Sequence, residues 1–277
     1  MGLRINTNVG AMNAHRQLTT NDTALAKSLQ RLSSGLRING ASDDAAGLTI
    51  AEKMNSQVRG LNQASRNSQD SISMLQTAEG ALIETEAILQ RMRELSVQAA
   101  NDTLTGSDRA AIGTELTQLS SEVDRIATAT QFNTQALISG GSASTTGFTL
   151  QVGANAGQNI NVTIANASAA SLGVSGIGSS VSTAALASAS ISNLDTAIAS
   201  VSESRSNLGA YINRLDHTIK NLNVSAENLS SAESRIRDLD MASEVMTMTR
   251  NQILTQSSTS MLAQANQSTQ NVLGLLR

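Results

Sequence analysis

Residues 194–236 read LDTAIASVSESRSNLGAYINRLDHTIKNLNVSAENLSSAESRI. Every seventh position is apolar: Leu194, Val201, Leu208, Leu215, Leu222, Leu229 and Ile236. A strict repeat of seven keeps one stripe in register only when helices wind gently around each other, so the stretch predicts a helical rod whose narrow seam faces a partner helix. At about 1.5 Å per residue the rod is about 65 Å long, which predicts an elongated architecture. Ile198, Ile212 and Ile219 lie on a companion row that Arg205 and Glu233 interrupt, so those two places should keep partial contact with water.

Composition agrees with long helices. The 277 residues include no Pro, Trp or Cys, one Tyr and two Phe, where average usage would supply about fourteen prolines. Proline removes a helical hydrogen bond and clashes with the preceding turn, so its exclusion suits uninterrupted helices. A core without aromatic residues must be built from Leu, Ile, Val, Met and Ala, which fits helix seams better than a globular pocket. The missing cysteines exclude disulfides and thiolate metal sites, and a net charge of −3 gives no electrostatic case for nucleic acid. No stretch of about eighteen apolar residues predicts a membrane span. The opening residues 1–9 lack the basic start and apolar run of a secretory signal, so any export is expected to use another route.

Outward from the rod, four further segments carry patterns. Leu18, Leu25, Leu29 and Leu32 predict an amphipathic helix over residues 4–34, closed by Ser33, Ser34 and Gly35. From Asp44 to about Ala100, Met54, Leu61, Leu75, Leu82 and Leu89 occupy a seven-residue ladder with Ser68 as the exception. A turn at residues 101–107 follows, with Ser107 as the expected cap of the next helix. Ile112, Leu116, Leu119, Val123 and Ile126 then alternate steps of four and three, and the short loop predicts antiparallel packing. Residues 131–190 contain no Asp, Glu, Lys or Arg. Within them Phe148, Leu150, Val152 and Ile160, Val162, Ile164 alternate with polar residues, which predicts a β-hairpin, and the flanking Ser, Ala and Gly runs predict loops or weak helix in an exposed tip. At the far end Leu239, Met246 and Ile253 share one ladder, continued with a one-residue shift by Leu254, Met261, Ala265, Val272 and Leu276.

Candidate chemistry is sparse. His15 and His217 lie on different predicted helices and belong to no metal pattern. Asp43 and Asp44 are read as a helix start, where carboxylates meet the positive end of the helix dipole. No catalytic, cofactor-binding or metal-ligating residue is expected. Both chain ends, in contrast, are amphipathic helices that would form only a marginal pair alone, since two short helices bury too little surface to offset the entropy of ordering them. Neighbouring copies of the chain are expected to supply the missing cover.

The same residues resemble a family. Leu32-Ser-Ser-Gly-Leu-Arg-Ile-Asn39 with Asp43-Asp-Ala-Ala-Gly-Leu48, Gln76-Thr-Ala-Glu-Gly-Ala-Leu82 and Leu89-Gln-Arg-Met-Arg-Glu-Leu-Ser-Val-Gln98 resemble the N-terminal signature of bacterial flagellin. Ser231-Ala-Glu-Ser-Arg-Ile-Arg-Asp238, Met261-Leu-Ala-Gln-Ala-Asn266 and Gln270-Asn-Val-Leu-Gly-Leu-Leu-Arg277 resemble its C-terminal signature. Ser268-Thr269 departs from it, since many relatives carry proline there, and an unbroken helix is expected. The resemblance implies a short-form, mainly α subunit: an antiparallel helical bundle or coiled coil with a small β-hairpin and amphipathic terminal helices. It implies an inner, discontinuous terminal-helix domain with its linker at 1–44 and 238–277. It implies an outer rod domain at 45–237 with a hairpin and loop tip at about 139–190. Hook–filament junction proteins and other secreted helical proteins are the alternative, but the former match the pattern less continuously.

Function follows from the same resemblance. It implies a non-enzymatic subunit of the extracellular flagellar filament, a homopolymer serving motility. The implied partners are a flagellar export chaperone and the export apparatus, the filament cap and hook-junction proteins, and the Toll-like receptor for flagellin. Arg91, Leu95 and Glu115 match family positions contacted by that receptor and equally by stacked subunits. Self-assembly is assigned to Leu18, Leu25, Leu29, Leu32, Leu239, Met246, Ile253, Leu254, Met261, Val272 and Leu276. The rod core is assigned to Leu61, Leu75, Leu82, Leu89, Ile112, Leu119, Ile126, Leu194, Val201, Leu208, Leu215, Leu222 and Leu229.

Overall fold

With no proline to interrupt it, the backbone forms five α-helices among the described residues: α1 (Val9–Ser34), α2 (Ala45–Ala99), α3 (Gly106–Ala129), α4 (Ala184–Arg237) and α5 (Met241–Leu275). The computed structural model describes residues 7–140 and 147–275, with side chains as far as Ser268. The chain divides into two compact units, Gln57–Glu227 and the pair of segments Met1–Ser56 with Asn228–Arg277. α5 runs unbroken through Ser268 and Thr269.

Inside the Gln57–Glu227 unit, α2 and α4 are antiparallel, as their cross-links show. Ser65 bonds Asn223, Glu86 pairs with Arg205 and Arg93 with Asp195, so partners on α4 descend as those on α2 ascend. α3 folds back on α2 in the same sense: Arg91 pairs with Glu115, while Arg109 Nε donates to Ala99 O at 2.9 Å. The helix cap differs from the Ser107 expectation. Thr105 and Asp108 form a capping box, each side chain accepting the other's backbone N–H, which satisfies two amides that a lone Ser107 hydroxyl would leave to water.

Leu75, Leu82, Leu89, Ile112, Leu194, Val201, Leu208, Leu215 and Leu222 are buried, and Leu61, Leu119, Ile126 and Leu229 are partly buried. Ser68, at the ladder's exception, is also fully buried; its hydroxyl donates to Ala64 O at 2.8 Å, so a polar group enters the core already satisfied by its own helix. Arg205, on the companion row, keeps part of its side chain in water and pairs with Glu86.

Two small antiparallel hairpins follow α3. β3 (Phe148–Gln151) pairs with β4 (Asn159–Val162), with Phe148 opposite Val162 and Leu150 opposite Ile160. β1 (Gln131–Phe132) pairs with β2 (Gln135–Ala136) around Asn133 and Thr134, both at positive φ. That is a two-residue primed turn, whose twist matches the strands. The segment expected as an exposed tip is in large part core instead: Leu137, Ile138, Ile160, Val162, Ile164, Val174, Ile177 and Val181 are buried against the helices. Strands with one apolar face need a cover, and the helices provide it. Asp124 on α3 accepts from Ala169 N at 2.8 Å, anchoring the loop. A 3₁₀ turn at Ile177–Ser179 presses onto α3 so closely that a Cβ on Gly113 would lie 2.4 Å from Gly178 O.

Candidate assembly surface

The second unit is built around the paired terminal helices. α1 starts at Asn8, whose side chain accepts from Ala11 N, and stops at Gly35, which takes the left-handed conformation (φ 71°) open to glycine at low cost. Beyond it the link to α2 pairs with the link between α4 and α5. Arg37 N donates to Arg237 O at 2.7 Å, and Leu239 N donates to Gly35 O at 3.0 Å. Ile38, in the same link, is buried. Asp44 accepts from Gly47 N and starts α2, as its position predicts, whereas Asp43 turns to Lys27 at 2.7 Å. The Lys27 ammonium, with the Asn39 backbone N–H, holds the Asp43 carboxyl below the usual carboxylate range.

α1 and α5 are antiparallel, and polar groups cross-link them along a face that also holds the partly buried Leu18, Leu25 and Leu32. Asn8 Nδ2 donates to Ala265 O at 3.0 Å, Asn21 Nδ2 to Ser258 Oγ at 3.2 Å, and Arg31 lies 3.9 Å from Glu244. Asn21 and Ser28 of α1 are buried at 6% and 3% exposure. From α5 the inward side chains are Glu244, Thr247, Met248, Asn251, Thr255, Ser258, Leu262 and Ala265. The apolar ladder of α5 points elsewhere: Met246, Ile253 and Met261 are 65%, 62% and 64% exposed, and Leu254 joins them. At 100° per residue, Met246, Ile253, Leu254 and Met261 fall within about 100° of one another and form one stripe.

Of the other residues assigned to assembly, Leu18, Leu25, Leu32 and Leu239 are partly buried and Leu29 is exposed. The Val272 side chain and the whole of Leu276 lie outside the described residues. Sequence reasoning missed the Asn21–Ser258 hydrogen bond and the buried Ser28, which carry no hydrophobic signal, and the exposed Met12, Met241 and Val245.

A second surface lies on α2 and α3. Arg91 and Glu115 are both exposed and joined at 3.0 Å, and Glu115, then Glu94, raise the Arg91 pKa further. Leu95, expected as a contact residue beside them, lies in the core at 3% exposure instead, because its side of α2 faces the helical core rather than water. His15 and His217 stand on α1 and α4. Among the described residues no cluster of His, Cys, Asp or Glu could hold a metal ion, and no helix is long and apolar enough to cross a membrane.

Two family models cover most of the sequence: the bacterial flagellin N-terminal helical region matches residues 5–143 and the C-terminal helical region matches residues 191–276. The chain belongs to the bacterial flagellin family. A flagellin of Halalkalibacterium halodurans is 52% identical over 273 residues, covering 99% of each chain. The flagellar filament 33 kDa core protein of Treponema phagedenis is 49% identical, again over 99% of each. A putative flagellar hook-associated protein from Vibrio parahaemolyticus superimposes with a TM-score of 0.59 at 18% identity, over 71% of this chain and all of that one, which is a likeness of fold alone. This flagellin is a structural subunit of the flagellar filament, from a family of polymerising structural proteins and not of enzymes.

Proposed function

We propose that this flagellin polymerises through its terminal helices, with residues 1–44 and 238–277 forming the inner layer of the filament and 45–237 the outer one. The polarity of α5 carries the reading. Its more polar face is turned to α1, while Met246, Ile253, Leu254 and Met261 keep about 40–65% of their surface in water, where each forgoes about 0.6–2 kcal/mol relative to full burial. Such a stripe is an interaction surface, and the repeated identical chain is the partner a homopolymer supplies. Before assembly a flagellar export chaperone covers the stripe as the chain passes to the export apparatus. At the filament's ends the partners are the cap and hook-junction proteins.

The exposed Arg91–Glu115 pair supports recognition of the monomer by the Toll-like receptor for flagellin, with Leu95 holding the surface from beneath. Stacked subunits would cover the same surface in the filament. A reporter-cell assay tests this: purified monomer should give a signal, and silence would remove the assignment. Seeded polymerisation followed by electron microscopy tests the assembly reading. The full chain should extend seeds, and a version ending at Gln256 should not, while keeping its middle helices. Equal extension by both would refute it.

A further inference from the structure

Of the nine methionines, the eight among the described residues are sorted by place. Met74 and Met92 are buried in the Gln57–Glu227 unit, whereas Met12, Met241, Met246 and Met261, all on α1 or α5, are exposed. Met54 and Met248 are partly buried. Exposed methionine is the side chain here that a mild oxidant can change, since the chain has no cysteine. Two of the four lie in the α5 stripe beside Ile253 and Leu254, where oxidation would act on contact between copies.

We propose that Met246 and Met261, supported by Met12 and Met241, form a peroxide-sensitive modification site that stops an unassembled chain from joining a filament, and that assembly shields it. The inference rests on the assembly reading above. In the step, the thioether sulfur attacks one oxygen of hydrogen peroxide. The S–O bond forms, the O–O bond breaks, and the departing hydroxide leaves as water after proton transfer. Sulfur loses two electrons and peroxide gains them. The product sulfoxide is polar and accepts hydrogen bonds, so it resists transfer into an apolar contact that offers no donor. Helix formation is untouched, because all four side chains face water in the single chain.

The test treats full-length chain with hydrogen peroxide in two forms, below its critical concentration and as seeded polymer. Peptide mass spectrometry then follows sulfoxide at each methionine, and sedimentation follows seeded polymerisation. The four exposed methionines should oxidise about tenfold faster in the unassembled chain than in polymer, with Met74 and Met92 slow in both. The oxidised chain should keep its circular dichroism and need at least about tenfold more protein to polymerise, reading one unpaired buried acceptor as about 1.4 kcal/mol or more. Methionine sulfoxide reductases A and B should restore it without any substitution. A variant carrying M12L, M241L, M246L and M261L should polymerise equally with and without peroxide. Normal polymerisation of fully oxidised chain, or equal peroxide sensitivity of the leucine variant, overturns the proposal. Failure of untreated chain to polymerise overturns the assembly reading and this inference with it.

Discussion

Replacing Ile253 with Ala separates assembly from folding. Ile253 is 62% exposed in the single chain, and complete burial of such a side chain stabilises by about 1.5–3 kcal/mol. Alanine keeps one of four side-chain carbons, so about three quarters of the remaining gain is lost on assembly, or about 0.7–1.4 kcal/mol. The critical concentration for polymerisation should therefore rise about three- to tenfold. Monomer stability should hardly change, because the deleted atoms already face water and alanine is the better helix former by a few tenths of a kcal/mol. Sedimentation of seeded polymer at graded concentrations gives the first quantity and urea unfolding of monomer gives the second. A change in critical concentration below twofold would refute the reasoning. So would a monomer destabilised by as much as assembly is weakened, since Ile253 would then be part of the chain's own core.

Other substitutions should act on folding. Leu208→Ala, at a fully buried seam position, should cost about 2–5 kcal/mol in urea unfolding of the monomer, the reverse of the Ile253 pattern. Gly113→Ala should cost about 1–3 kcal/mol, because its Cβ would meet Gly178 O at 2.4 Å and two backbones must part; an unchanged midpoint would disprove the tight contact. Asp43 has a folded pKa below its unfolded value, so its contribution is present above the unfolded value and fades as pH falls through the folded one. Unfolding of Asp43→Asn should accordingly show a shallower loss of stability on the acid side than the parent chain, and identical acid limbs would remove the Lys27–Asp43 pair from the account.

The long seams were legible because a seven-residue period states directly which side of a helix is covered. Leu75, Leu82, Leu89 and Leu194 through Leu222 needed no further information. Arg205 was also readable, since a charge on the companion row must keep water or find a partner, and it does both. The terminal helices were only half legible. Periodicity marks the stripe of Met246, Ile253, Leu254 and Met261, but it cannot tell that the opposite side of α5, with Asn251, Thr255 and Ser258, turns inward and that Ser258 accepts from Asn21. A face of Asn, Ser and Thr carries no hydrophobic signal, and its hydrogen bonds depend on a partner more than two hundred residues away. The hairpin at Asn133 and Thr134 escaped for a local reason: its turn lacks the glycine that usually marks such turns. In residues 131–190 the absence of charge suits an exposed low-complexity tip, but it also permits burial, and the alternating apolar faces take that route.

If α1 and α5 gain full cover only among copies of the chain, hydrogen exchange across a concentration series should reveal it. Amides of residues 9–34 and 241–265 should become protected by orders of magnitude when the chain passes from monomer to seeded polymer, while those of residues 75–95 and 194–222 should stay equally protected in both. Terminal helices as slow to exchange in the dilute monomer as in the polymer would contradict it.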